Sequence, residues 1–233
     1  MSNRPGGELA RRPLHFIWIC DCSSSMSGDK IQTVNHAIQE ALPLMRSVAA
    51  ENPNAQLLLR TVTFSSGAQW HVGTPTPVED FRWGEHELKA SGVTDMGRAL
   101  SLVAEQLRVP PMTDRALPPV LVLLSDGQPT DDFDGGLRKL MAEPWGTKAV
   151  RVAIAIGSDA NRVLLQKFMG HAELKPIDAN NPDALVNAIR WVSTVVLTQA
   201  SSPSSQAADS EVQVGNIAVP TPVAAPASAA DVW

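Results

Sequence analysis

Apolar runs at residues 14–20, 120–124 and 150–156, with a further strand read at 57–64, constrain this chain more than any other feature. Runs of this length without polar alternation are what strands require when both faces of a sheet are covered, as in parallel sheets. Segments of helical period stand between them. Ile31, Val34, Ile38, Leu42 and Met45 share one helical face, as do Met96, Ala99, Leu100, Val103 and Leu107. Leu137, Leu140 and Met141 mark a third helix, capped by Asp131 or Asp132, and residues 161–169 a short fourth. Leu185, Ala188, Ile189, Val192 and Val196 mark the last. Pro43 is expected to kink or loosen the end of the first helix. A short edge strand, 68–72, is expected to pair with 57–64 across Ser65-Ser66-Gly67, and 174–177 reads as another short strand. Residues 73–77 read as a Pro-rich loop and 79–89 as a surface segment without an assignment. This rhythm predicts an α/β fold. It is Rossmann-like and doubly wound, with a mostly parallel central sheet, one antiparallel edge strand and helices on both faces.

Such sheets hold ligands outside the carboxyl ends of their strands. The turn leaving the first run carries suitable chemistry, because Asp21, Ser23 and Ser25 stand at i, i+2 and i+4. One carboxylate and two hydroxyls are hard oxygen donors of the kind Mg²⁺ prefers. Alone, the string is equally an ordinary Asx-type turn. Two other loops add to it: Gly92-Val93-Thr94-Asp95 offers a third hydroxyl, and Ser125-Asp126-Gly127 follows the run 120–124.

The set Asp21, Ser23, Ser25, Thr94 and Asp126 resembles the metal-ion-dependent adhesion site of von Willebrand factor A (VWA) domains, in chain order and in the element before each loop. Residues 23–28 (SSSMSG), Val34-Asn35, 92–100 (GVTDMGRAL) and 125–133 (SDGQPTDDF) are similar to bacterial TerY-like proteins of the tellurite-resistance group. The resemblance covers about residues 13–198. Ser24 departs from it, standing where many relatives have Gly, and should place a tighter demand on backbone angles. The resemblance implies the VWA fold and a metal-dependent protein–protein interaction module rather than an enzyme. It implies Mg²⁺, with Mn²⁺ or Ca²⁺ as alternatives, held by those five residues. One coordination position would stay open to water or to an acidic side chain from a protein partner. TerY-like relatives further imply a stress-response or signalling system with a Ser/Thr kinase and a PP2C-type phosphatase.

Composition narrows the alternatives. Of 233 residues, 44% are hydrophobic and 18% charged, which reads as globular. A net charge of −5 without a basic cluster argues against nucleic acid. No run approaches the ~18 apolar residues of a membrane span. Arg11 and Arg12 precede an apolar run too short for a signal peptide, ending in Asp21. Cys20 and Cys22 form neither a CxxC pair nor a zinc set and read as small core residues of a reducing compartment, hence a cytoplasmic location. His15, His36, His71, His86 and His171 are scattered, and no GxSxG elbow or phosphate-binding GxxxxGK[ST] loop is present. The alternative function is a Mg²⁺-dependent phosphohydrolase on the same type of fold. Aspartyl-phosphate chemistry would want a second Asp two residues after Asp21, where Ser23 stands.

The chain divides into an extension, 1–12, a domain, 13–198, and an Ala/Ser/Pro-rich tail, 199–233. From residue 200 on there is no Lys or Arg, and Asp209, Glu211 and Asp231 carry −3 of the −5. Such a segment buries too little apolar surface to fold alone. It reads either as a linker or as a tethered docking segment anchored by Trp233, with Thr221 and the serines of 201–205 as phosphoacceptors.

Overall fold

The apolar runs become strands whose two faces are both covered. The computed structural model describes residues 11–84, 87–171 and 174–201. Its strands are β1 (Arg12–Asp21), β2 (Ala55–Ser65), β3 (Gly67–Pro77), β4 (Val120–Ser125), β5 (Val150–Ile156) and β6 (Ile177–Ala179), in the spatial order β3-β2-β1-β4-β5-β6. All neighbours run parallel except β3, which pairs antiparallel with β2 at the edge. The helices are α1 (Asp29–Glu51), α2 (Met96–Gln106), α3 (Phe133–Ala142), α4 (Pro144–Lys148), α5 (Arg162–Met169), α6 (Pro182–Trp191) and α7 (Leu197–Ser201). A π-helical turn, Val192–Val196, joins the last two.

Alternate residues of each strand feed two cores. Phe16, Trp18, Val120 and Ile154 face α1 and α6, while Ile17, Ile19, Leu121 and Ala153 face α2 to α5. Chain order reverses direction between β1 and β4, where the strand that follows β1 in sequence lies on one side of it and β4 on the other. A crevice at the carboxyl ends of those two strands is the expected ligand position in such a sheet.

Several boundaries differ from expectation for physical reasons. α1 continues through Pro43 to Glu51. Pro43 and Gln39, whose carbonyl loses its helical partner, are both on the exposed face, so water can satisfy that oxygen. β3 runs on through Gly73 to Pro77, which were expected to be a loop. An edge strand tolerates prolines because one row of its N–H groups has no ladder partner to lose. β6 starts at Ile177 rather than Leu174. In the segment 79–89, Phe81, Trp83 and Leu88 are buried in the α1-side core, so it is not merely surface. Asp132 accepts from Gly135 N–H and caps α3, while Asp131 serves another helix. Cys20 and Cys22 are free and buried. The expectations for residues 202–233, Trp233 included, lie outside the described residues.

Far from the crevice, β2 carries a buried guanidinium. Arg60 lies over the Trp70 ring at 5.0 Å, donates to Gln106 Oε1 at 2.9 Å and faces His15 Nδ1 at 3.4 Å. Because an arginine can only donate, that nitrogen of His15 is the acceptor of a neutral ring. Burial, reinforced by the Arg60 charge, lowers the His15 pKa to about 4. A histidine held neutral in the fold but free to protonate when unfolded costs stability as pH falls. From its ordinary value near 6.5 down to about 4, the loss amounts to about 3 kcal/mol. Urea unfolding at pH 7 and pH 4 is expected to show this component in the wild type and not in His15→Gln. Equal pH dependence in the two proteins would remove His15 as the cause.

Candidate metal centre

The register of β1 against β4 brings the first and third loops together. Cys20 pairs with Leu124, so Asp21 and Ser125 stand side by side at the strand ends. Asp21 is the last residue of β1 rather than a loop residue and is wholly buried. Its Oδ1 accepts the Ser23 N–H at 2.8 Å and its Oδ2 accepts the Ser125 hydroxyl at 2.6 Å. Burial raises the Asp21 pKa, those hydrogen bonds oppose the rise, and the Asp126 charge adds to it. A carboxylate kept in this position is costly to ionise without a cation nearby.

The chain then turns through a single 3₁₀ turn, Ser24–Met26. Ser24 sits in it without strain, since among the described residues only glycines have positive φ. Ser23 Oγ and Ser25 Oγ lie 3.0 Å apart, and the Ser25 hydroxyl donates to Asp126 Oδ1 at 2.7 Å. The other oxygen of Asp126 accepts from Lys30 Nζ at 2.6 Å.

Thr94 joins them through backbone. Ser24 N–H donates to Gly92 O at 3.0 Å and Ser91 N–H to Cys22 O at 2.7 Å, tying the second loop to the first. Gly92 has φ 78°, and a Cβ there would sit 2.4 Å from Ser66 Oγ, so the loop needs glycine at this point. Thr94 N–H donates to Thr130 Oγ1 at 3.1 Å, and Thr94 O accepts the Thr130 N–H at 2.9 Å. Both oxygens of Asp131 accept from the first turn of α2, Gly97 N–H and Arg98 N–H, each at 2.8 Å. A Cβ on Gly127 would lie 3.7 Å from Thr94 Oγ1 and 3.9 Å from Ser25 Oγ, so hydroxyls of two loops flank one bare glycine.

The five residues read from the sequence are therefore gathered at one place. Lys30, Ser125 and Thr130 belong there too and were not singled out, although Ser125 directly precedes Asp126. The donor set suits a small hard cation. Six oxygens arranged around Mg²⁺ at its usual bond lengths sit about 3 Å from their neighbours, and Ca²⁺ spaces them more widely. The Ser23–Ser25 and Ser25–Asp126 separations of 3.0 and 2.7 Å are hydrogen-bond lengths and keep these oxygens close enough to share one ion. Among the described residues no group of three or more His, Cys, Asp or Glu could hold a metal, so an ion at this place would need the hydroxyls as well as the two carboxylates.

Solved structures share the fold. A von Willebrand factor type A protein from Catenulispora acidiphila is 21% identical with a TM-score of 0.58, over 80% of this chain and 43% of that one. The pilus adhesin SpaC from Lactobacillus rhamnosus GG is 14% identical with a TM-score of 0.65, over 81% and 31%. Proximal thread matrix protein 1 from the mussel byssus, in a form with a zinc-occupied MIDAS motif, is 15% identical with a TM-score of 0.57, over 84% and 49%. The chain thus spans less than half the length of each. No curated protein matches it. No helix among the described residues is long and apolar enough to cross a membrane. The family model of the von Willebrand factor type A domain matches residues 17–188, and the chain belongs to that family.

Proposed function

We propose that the chain is a Mg²⁺-dependent protein-interaction module. Ser23, Ser25 and Thr94 would offer hydroxyl oxygens, with Asp21 and Asp126 supplying charge directly or through water. The observation that carries this reading is the convergence of three hydroxyls and two buried carboxylates at the strand-order reversal. The zinc-occupied site of the byssus protein supports a divalent metal at this position of the fold. Mn²⁺ and Ca²⁺, which also take oxygen ligands, are the alternatives. When bound, the ion supplies a Lewis-acidic position for an anionic ligand, and a carboxylate from a partner protein is its natural complement. Binding rather than catalysis is favoured because Ser23 occupies the place of the second aspartate that a phosphohydrolase of this type would need. The wording shared with TerY-like proteins supports a bacterial stress-response or signalling setting with a Ser/Thr kinase and a PP2C-type phosphatase as partners.

The test is capture of partners by the full chain with Mg²⁺ and with EDTA, beside Thr94→Ala. Both EDTA and the substitution are expected to weaken partner binding by at least about tenfold, the scale of losing one positioned metal contact. Affinity untouched by either would place the interaction surface elsewhere.

A further inference from the structure

We propose that Lys30 is a built-in cation that sets how tightly the centre holds its metal, an inference that rests on the Mg²⁺ reading above. Gly28, at φ 81°, turns the chain into α1 and places Lys30 in the first turn of that helix. The Lys30 Nζ donates to Asp126 Oδ2 at 2.6 Å, and the Asp126 side chain is 1% exposed against 16% for Lys30. Asp126 Oδ1 meanwhile accepts from Ser25 Oγ at 2.7 Å. The carboxylate is thus divided between two neighbours. One oxygen faces the hydroxyls that would hold the ion, and the other faces an ammonium.

That division has a definite electrostatic sign. Asp21 and Asp126 bring two negative charges to the centre, and Lys30 cancels one of them without occupying the ion's side of Asp126. Like charges sharing a poorly hydrated carboxylate repel, so Lys30 weakens the hold on a divalent ion. A loaded centre is left with a net positive charge instead of a balanced one. The same residue that loosens the metal therefore strengthens the attraction for an anionic group arriving from outside. With the ion absent, Lys30 is the positive charge that lets Asp126 remain buried. A lysine acting only as a strut for Asp126 would have the opposite effect, because its removal would let the ligand wander and weaken the metal.

Calorimetric titration of Mg²⁺ into the full chain separates the two signs, run beside thermal unfolding in EDTA. Lys30→Met is expected to bind Mg²⁺ about tenfold more tightly than wild type, from the removal of one nearby charge. It is also expected to unfold at a lower temperature than wild type in EDTA, and Lys30→Arg to stay within about threefold of wild-type affinity. Lys30→Gln, which keeps polarity at the position, gives the same direction if Lys30→Met does not fold. Unchanged or weaker Mg²⁺ binding in the neutral variants overturns the inference. If the wild type itself binds no Mg²⁺, the metal reading fails, and this one with it.

Discussion

Asp21→Asn is expected to lose at least about a hundredfold in Mg²⁺ affinity while the folded protein without metal becomes no less stable. The first half follows from the proposed metal reading: a carboxylate that gives the ion charge from the end of β1 should contribute more than outer partners, whose loss costs about 10–100-fold. The second half follows from burial, which raises the Asp21 pKa and makes its ionised form unfavourable in the empty centre. A group whose pKa is raised on folding destabilises the protein at pH values above that pKa, so neutralising it at pH 7 removes a cost. The amide keeps an oxygen to accept the Ser23 N–H. Asp21→Ala is a harsher change, leaving the Ser23 N–H and the Ser125 hydroxyl without their acceptor, and is expected to lose about 2 kcal/mol besides. Thermal unfolding with EDTA and with Mg²⁺ reads both effects. Wild type should gain stability from Mg²⁺ and Asp21→Asn should not. A wild-type-sized gain in the asparagine variant would remove Asp21 from the metal centre.

Gly97→Ala is expected to destabilise the domain by about 3 kcal/mol or more, the upper range for forcing atoms into packed space. A Cβ on Gly97 would lie 2.2 Å from Asp132 O and 2.6 Å from its carbonyl carbon. These are backbone atoms and cannot rotate aside. The contact is reciprocal, since a Cβ on Gly136 would meet Gly97 O at 2.2 Å. Urea unfolding measures the loss, and a change below about 1 kcal/mol would mean that α2 and α3 can separate cheaply. Because Thr94 lies just before α2, the surviving folded fraction is also expected to bind Mg²⁺ less well.

The sheet was legible in the sequence wherever strands are buried on both faces, because there burial alone dictates composition, as in 120–124 and 150–156. It was less legible at the edge. Thr74, Pro75, Thr76 and Pro77 have the composition of a loop, yet partner β2 on one side only and so escape the demands of a central strand. The segment 79–89 contributes Phe81 and Trp83 to the core without any period, since irregular backbone leaves no periodic trace. The grouping of the five candidate residues was legible through the resemblance to VWA domains, since oxygen side chains on turns are otherwise ordinary and the loop of Thr94 precedes α2 without directly following a strand. Lys30 was not, since a lysine near the start of a helix reads as solvent-facing until the fold sets Asp126, 96 positions away, against it. Asp131 and Asp132 were alternative caps for α3; Asp132 takes that role, and Asp131 instead caps α2 across the site, a choice that only tertiary structure makes.

Asp131, Thr130 and the glycine pair leave Thr94 little independence. The second loop is fastened to the third by hydrogen bonds on both its backbone groups, and behind them α2 and α3 touch backbone to backbone. Thr94 is therefore coupled to both helices rather than to one. The placement of a two-helix block on one face of the sheet is thereby tied to that of Thr94 at the strand ends. On the opposite face α1 is fastened as well, through the first loop's hydrogen bonds to the second and through Lys30 to Asp126 of the third. Both layers of helices thus hang on the same three loops at the rim of the sheet.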